Sequence, residues 1–278
     1  MPHQSEQSGN PKIGLALSGG AARGMAHVGV LRALEENSIP IDAIAGASAG
    51  ALIGGAYAAG LTVAQLEALT ETIRWRHMGR PAFSRLGFNS NRRMQTFLQT
   101  HLPVTRFEHL KIPLAVMTTD LKTGTVVVKR DSGDMTLAIR ASCCVPGLYT
   151  PVTDEDGRLL TDGGLVANLP ISHTRALGAD IVIGVDVGAE GARFIDRPRT
   201  ILGVLTLAFV AAERIVSNQE KADADVLIVP KAGHIRWDQT KRGAELVKVG
   251  YDAALASLDE IRKAIEEYRF SASKIATA

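Results

Sequence analysis

Three groups of residues in this chain of 278 have types and spacings that could carry chemistry. The first is Ser18-Gly19-Gly20-Ala21-Ala22-Arg23-Gly24. It lies between a strand-like run, Ile13-Gly14-Leu15-Ala16-Leu17, and a helical pattern carrying Met25, Val28, Val30, Leu31 and Leu34. A strand, a glycine turn and a helix start make an anion cradle, because unpaired N–H groups and the positive helix end point at the same place. The anion could be a phosphate, the pyrophosphate of a dinucleotide, or the oxyanion of an acyl-transfer intermediate. A plain tight turn has the same pattern. The glycine spacing is G-G-x-x-x-G rather than the dinucleotide G-x-G-x-x-G, and Asp42 is only loosely placed for a ribose.

The second group, Gly46-Ala47-Ser48-Ala49-Gly50, follows the short run Asp42-Ala43-Ile44-Ala45 and opens an Ala/Gly-rich helical stretch. G-x-S-x-G between strand and helix lifts the serine out of the chain path, and the flanking glycines remove side chains that would collide. The helix behind Ser48 then directs its N–H groups at a developing oxyanion. The plainer alternative is a serine N-cap.

A serine nucleophile needs a base. The α/β-hydrolase order would place a histidine late in the chain, but His173 and His234 both read as surface residues. His27, one helical turn past Arg23, reads as a packed or exposed side chain. The third group supplies another candidate. Asp162 ends the run Arg158-Leu159-Leu160-Thr161 and is followed by Gly163-Gly164, which leaves its carboxylate little steric cover. An ordinary Asp-Gly turn is the competing reading.

The elements that must position these groups alternate between short apolar runs and helical periodicity. Strands are expected at 13–17, 42–45, 114–119, 125–129, 158–161, 180–187 and 225–229. Helices are expected at 22–37, 49–59, 62–74, 92–101, 134–142, 172–177, 200–221 and 242–268. That alternation is α/β with a largely parallel sheet, and 114–129 forms an antiparallel hairpin. Residues 78–91, with Gly79, Pro81 and Gly87, read as a loop near the site. A single domain is expected over 12–268, with flexible tails at 1–11 and 269–278.

Composition narrows the function. Apolar residues make up 46% and charged residues 22%, which excludes wholesale disorder. Thirty-one basic against 29 acidic residues leave +2, so nothing favours a nucleic-acid partner. Eleven of the 27 glycines fall in the first 60 positions, around the first two groups. Cys143 and Cys144 are adjacent and read as reduced thiols of a cytosolic protein. The seven histidines have no zinc-site spacing, so no metal is expected.

The longest apolar run, 201–212, is short of the roughly 20 residues that span a bilayer. The polar N-terminus lacks a signal-peptide pattern. The expectation is a cytoplasmic protein, at most peripheral to the inner membrane surface. Ile201, Leu202, Leu205, Ala208 and Phe209 recur at helical spacing, as a core helix would, or a surface for lipid or a second copy. Arg74, Arg76 and Arg80 form a solvated face or a site for a phosphate head group.

Taken in order, the three groups resemble the patatin-like phospholipase family, in particular its short bacterial branch related to neuropathy target esterase. A fourth segment, Ala141-Ser142-Cys143-Cys144-Val145-Pro146-Gly147, is similar to the family's Ala-Ser…Pro-Gly block, although the cysteine pair departs from it. The resemblance covers roughly 12–187. It implies a three-layer α/β/α fold around a central, mostly parallel sheet, with a Ser–Asp dyad in which no histidine takes part. Ser48 then matches the nucleophile and Asp162 the base. Gly19 and Gly20 match the oxyanion loop, closed by Arg23 and Gly24. The implied activity is hydrolysis of fatty-acyl esters of phospholipids or lysophospholipids through an acyl-serine, with no cofactor. The alternatives are a broad carboxylesterase or acyltransferase using the same dyad, and a non-enzymatic phosphate- or nucleotide-binding regulator.

Overall fold

The computed structural model describes residues 10–82, 84–188 and 197–276. The expected tail residues 1–9 and 277–278 lie outside them. In chain order, the first half gives β1 (Ile13–Leu17), α1 (Ala26–Glu36), β2 (Ala43–Ala47), α2 (Ala49–Ala58), α3 (Val63–Thr72), α4 (Trp75–Met78), β3 (Arg80–Pro81), β4 (Gly87–Ser90) and α5 (Arg92–His101). The middle contains β5 (Leu114–Asp120), β6 (Val126–Lys129), α6 (Met135–Ser142), β7 (Gly147–Tyr149), β8 (Val152–Thr153) and β9 (Leu159–Asp162). The remainder is α7 (Ile171–Arg175), β10 (Ile181–Val185), α8 (Ile201–Glu220), β11 (Val226–Ile228), α9 (Gly243–Ala256) and α10 (Leu258–Ala276).

The main sheet runs β11-β10-β1-β2-β5-β9-β8, with β6 also paired to β5. From β11 to β5 every pairing is parallel; β6, β9 and β8 join antiparallel. Strand alternation divides the two faces by residue size. Ile13, Leu15, Leu17, Ile44, Ile183 and Val185 enter the large core with α1 and α2, whereas Ala16 and Val182 face α7 with Leu169 and Ile171. Small residues on the α7 face allow close approach: a Cβ on Gly14 would lie 2.5 Å from Thr174 Cγ2. Helices on both faces of a mostly parallel sheet make the expected three-layer fold.

Three expectations change. The helix expected at 22–37 begins as a 3₁₀ turn, Ala21–Met25, with the Ala22 amide bonded to the Trp237 carbonyl at 2.9 Å. The helix expected at 242–268 divides at Ser257 and continues to Ala276, through most of the expected tail. α9 crosses α1 closely, since a Cβ on Gly250 would lie 1.9 Å from the Ala26 carbonyl oxygen, and the break lets Leu258 and Ile261 turn into the core. Finally, 78–91 is not purely loop. β3 pairs with β4 and β4 runs parallel to β7, so the second sheet depends on partners about 60 residues away that local periodicity does not reveal.

Candidate active site

β5 acts as the ruler of the site. Its Met117 pairs with Ala47 of β2, and the next residue, Thr118, pairs with Asp162 of β9. Two strands distant in sequence therefore end at adjacent positions along one strand, and Ser48 follows Ala47 directly. The chain turns sharply there: Ser48 has φ 50° and ψ −119°, a conformation that costs a non-glycine residue about 1–3 kcal/mol. Gly50 makes the turn possible, because a Cβ on it would lie 2.1 Å from the Leu17 carbonyl oxygen. Gly46 packs under the first turn of α2, where a Cβ would lie 2.6 Å from the Ala51 nitrogen.

The Ser48 hydroxyl donates to Asp162 Oδ2 at 2.8 Å, and the Gly164 amide donates to Asp162 Oδ1 at 2.9 Å. The Ser48 amide donates to Ser142 Oγ at 2.8 Å, and the Thr119 hydroxyl to the Asp162 carbonyl at 2.7 Å. Ser48 and Asp162 are both buried. Burial pushes the Asp162 carboxyl up to about 7, opposed by the hydrogen bonds from Gly164 and Ser48.

Among the described residues, no histidine bonds to this pair. His27 is buried and donates Nε2–H to the Ser18 carbonyl at 2.9 Å, and burial lowers it to about 4, so the ring is neutral. His173 is near Ser172 on α7, and His234 pairs with Glu245 at 3.0 Å on the surface. Arg74 is tied to the carbonyls of Glu71 and Ile73, at 2.7 Å each.

The first glycine loop lies beside the pair. Gly20, Gly24 and Ala49 line a cavity with Ser48. The Gly19 amide is taken by Asn168, through its carbonyl at 3.3 Å and its Oδ1 at 3.1 Å. Arg23 points its buried guanidinium away from the cavity, with Nε donating to the Ile235 carbonyl at 2.7 Å, so its side chain anchors the loop from behind. Gly163 sits on β5, where a Cβ would lie 2.2 Å from the Met117 carbonyl oxygen.

The cavity has a volume of about 160 Å³ and an overwhelmingly apolar wall. From Ser48 it follows α2 past Leu52, Ile53 and Ala56, a path of about 12 Å at helical rise, and reaches Leu98 and Leu102. Cys143 lies on its wall, and burial raises its thiol well above the ordinary range, so it stays protonated. The Cys144 thiol donates to the Thr150 carbonyl at 2.9 Å.

Three site residues have roles that sequence reasoning did not assign, although Ser142 lies in the fourth segment of the resemblance. Ser142 seats the Ser48 amide, and Asn168 holds the glycine loop. Glu213 reaches in from α8 between the two glycine turns: a Cβ on Gly164 would lie 2.4 Å from Glu213 Oε1, 2.9 Å from Asn168 Oδ1 and 3.2 Å from Asp162 Oδ1. Burial, Asp162 and Asp186 raise the Glu213 carboxyl well above the ordinary range. The only local signal was an acid interrupting an apolar helix.

Comparison with known proteins is consistent with this arrangement. A family model described as patatin-like phospholipase matches residues 15–174, which contain the glycine loop, the elbow and the Asp-Gly-Gly turn. A patatin-like phospholipase domain-containing protein of Caenorhabditis elegans is 38% identical over 221 residues, covering 75% of this chain and 16% of that protein. Lysophospholipase nte1 of Neurospora crassa is 35% identical over 183 residues, covering 64% of this chain and 12% of its own length. An uncharacterised NTE family protein of Mycobacterium tuberculosis is 36% identical over 188 residues, covering 66% and 51%. The chain thus spans about half, or far less, of these relatives. The crystal structure of VipD from Legionella pneumophila has the same fold, with a TM-score of 0.61 at 16% identity over 91% of this chain and 67% of that one. With that family model spanning more than half of its length, the chain belongs to the patatin-like phospholipase family.

Proposed function

We propose that this protein is a serine lipid acyl hydrolase that cleaves fatty-acyl esters of lysophospholipids or phospholipids through a Ser48–Asp162 dyad. The observation that carries this reading is the 2.8 Å hydrogen bond from Ser48 to a buried aspartate at the head of an apolar cavity. The names of the Neurospora and other fungal relatives, lysophospholipases, support the substrate class.

In this mechanism Ser48 Oγ attacks the ester carbonyl while its proton passes to Asp162 Oδ2. A carboxyl near 7 is a far better match for that proton than an exposed aspartate. Backbone amides of the Gly20 turn and the start of α2 face the developing oxyanion. The carbonyl–oxygen bond then breaks, and the proton on Asp162 passes to the leaving alkoxide. Water, deprotonated by Asp162, hydrolyses the acyl-serine and restores Ser48. The acyl chain lies in the apolar cavity throughout.

Substrates of this kind reside in membranes, and α8 provides a face for contact with one. The apolar run 201–212 alone falls short of a bilayer span, but the whole helical stretch Ile201–Asp223 is long and apolar enough to cross one, and one side of it packs on the site through Phe209 and Val210. Its other side exposes Ile201, Val204, Leu205 and Ile215. Peripheral seating on a lipid surface fits that division.

A fluorophosphonate probe tests the reading most directly. Labelling is expected at Ser48, accompanied by release of fatty acid from lysophosphatidylcholine, with both lost in Ser48→Ala. Turnover confined to short nitrophenyl esters would favour the carboxylesterase alternative. Absence of labelling would favour a binding protein.

A further inference from the structure

Between Glu71 and Glu108 the chain has no acidic residue, and six arginines fall within residues 74–93. Outside that stretch, 25 of the 31 basic residues meet 29 acidic ones, so the charge is one concentrated positive region on a mildly acidic remainder. Arg74 is half-buried against its carbonyls. Arg76 on α4, Arg80 on β3, Arg85 in the turn from β3 to β4, and Arg92 and Arg93 at the start of α5 are exposed. Among the described residues none of these five is in an ion pair; Arg76 Nε–H is directed at His77 Nε2, 3.2 Å away.

Nothing in helix or sheet formation favours this concentration. Arg92 and Arg93 occupy the first turn of α5, the positive end of a helix, where acids are preferred. Burial and the nearby charge of Arg92 lower the Arg140 guanidinium below its ordinary range. Like charges gathered without compensation repel one another, and a partner of opposite sign offsets that cost.

The same region also exposes apolar side chains. Leu86 is 60% and Phe88 64% exposed, both between Arg85 and Arg92 in the chain. β4 pairs with β7 through Gly87 and Gly147, and a Cβ on Gly147 would lie 3.8 Å from the Cδ1 atoms of Leu202 and Leu205. The cationic hairpin therefore continues, across one strand, into the exposed apolar start of α8. Its inner side belongs to the site: Met78, Phe97, Leu148 and Tyr149 line the apolar cavity.

We propose that the second sheet, β3-β4-β7, together with the start of α5, docks the protein on an anionic lipid bilayer. The arginines meet lipid phosphates, and Leu86 and Phe88 enter the interface beside α8. The assignment rests on the lipid-surface reading of α8 above and deepens it, by naming the charge of the surface and the element that reads it. A nucleic acid or an acidic protein would satisfy the arginines but offers no apolar phase to Leu86, Phe88 and the start of α8. An anionic bilayer supplies both, because interfacial attachment adds apolar burial to the attraction of arginine for acidic lipids.

The test uses Ser48→Ala protein, so that the vesicles stay intact and binding is read apart from turnover. Co-sedimentation with an equal mixture of phosphatidylcholine and phosphatidylglycerol should exceed that with phosphatidylcholine alone by about tenfold or more at low salt, and the difference should shrink as salt is added. Arg80→Gln combined with Arg85→Gln should remove most of that preference, and Arg80→Lys combined with Arg85→Lys should restore it. Phe88→Ser should weaken binding to both kinds of vesicle. Equal binding to the two vesicles, or a preference that the glutamine variant retains, would overturn the assignment and leave the seating of α8 in place. Tighter binding to a single-stranded oligonucleotide than to the anionic vesicles, lost in the same glutamine variant, would make the region a nucleic-acid surface and end the lipid assignment. Absence of binding to either vesicle would remove the α8 reading and this one together, while labelling of Ser48 in the unaltered protein judges the hydrolase reading separately.

Discussion

Asp162 has to take a proton from a serine and still be ionised when substrate arrives. Burial raises its carboxyl to about 7, which brings those demands together near neutrality. Activity should therefore rise with pH and level off above about 7, and a kcat/KM profile for a short ester checks this. The same shift has a cost in stability. Below about pH 4 the folded and unfolded chains both carry this proton. Between about 4 and 7 the unfolded chain loses it first, so stability falls as pH rises, and above 7 the loss is complete. Asp162→Asn should lower kcat by about 10²–10⁴-fold. At pH 8 it should also stabilise the fold on the order of 2 kcal/mol, measurable as a higher urea midpoint that is absent near pH 4. Ser48 was legible in sequence because its motif lies between a strand and a helix, whereas Asp162 alone read as a turn and became a candidate base through the ordered set of motifs. The roles of Ser142, Asn168 and Glu213 were not legible, because each acts on a group brought to it by the fold: Ser142 lies in the fourth segment but gave no sign of the Ser48 amide, and Asn168 bonds to Gly19 across 149 positions.

Helix α8 does three things along one length. Its inner side, with Phe209 and Val210, closes the apolar cavity; its later turns hold Asn168 through the Ser217 hydroxyl; its outer side faces solvent with Ile201 82% and Ile215 62% exposed. Apolar side chains left in water at this density call for a partner, and a bilayer matches both the cavity beneath and the proposed substrate. The triple substitution Ile201→Ser, Val204→Ser, Leu205→Ser should weaken co-sedimentation with phosphatidylcholine vesicles about tenfold or more, while hydrolysis of a dissolved short ester continues. The extent of this helix followed from periodicity, within a residue at each end. Which side would face the site did not, since apolar residues surround it and periodicity alone ranks no face. The segment 78–91 was misjudged for a related reason: β4 lies between β3 and β7, and β7 is about 60 residues away in the chain.

Across the whole molecule, alternating strand and helix patterns made a largely parallel α/β sheet readable and the family resemblance implied the three layers, whereas neither the strand order nor the antiparallel addition of β9 to β5 was readable. That pairing sets the dyad, and residues 158–161 read alone gave a strand without an address. The apolar cavity is likewise a property of several elements at once, with walls from α2, α3, α5 and α8. Its depth should set chain-length preference. Ala56→Phe, placed partway down the wall, should shift hydrolysis toward shorter acyl chains, with the ratio of palmitate to butyrate nitrophenyl ester turnover falling about tenfold. The adjacent register of Ala47 and Asp162 along β5 has a consequence for how such a site can diversify. Ser48 and Asp162 stand 114 positions apart in the chain, yet the distance between the two groups is set by one step along a single strand. Loops within that interval, such as the exposed turn at Asp156–Gly157, can lengthen or change sequence without moving the chemistry, whereas a slip of one residue between β9 and β5 would turn the carboxylate to the opposite side of the sheet.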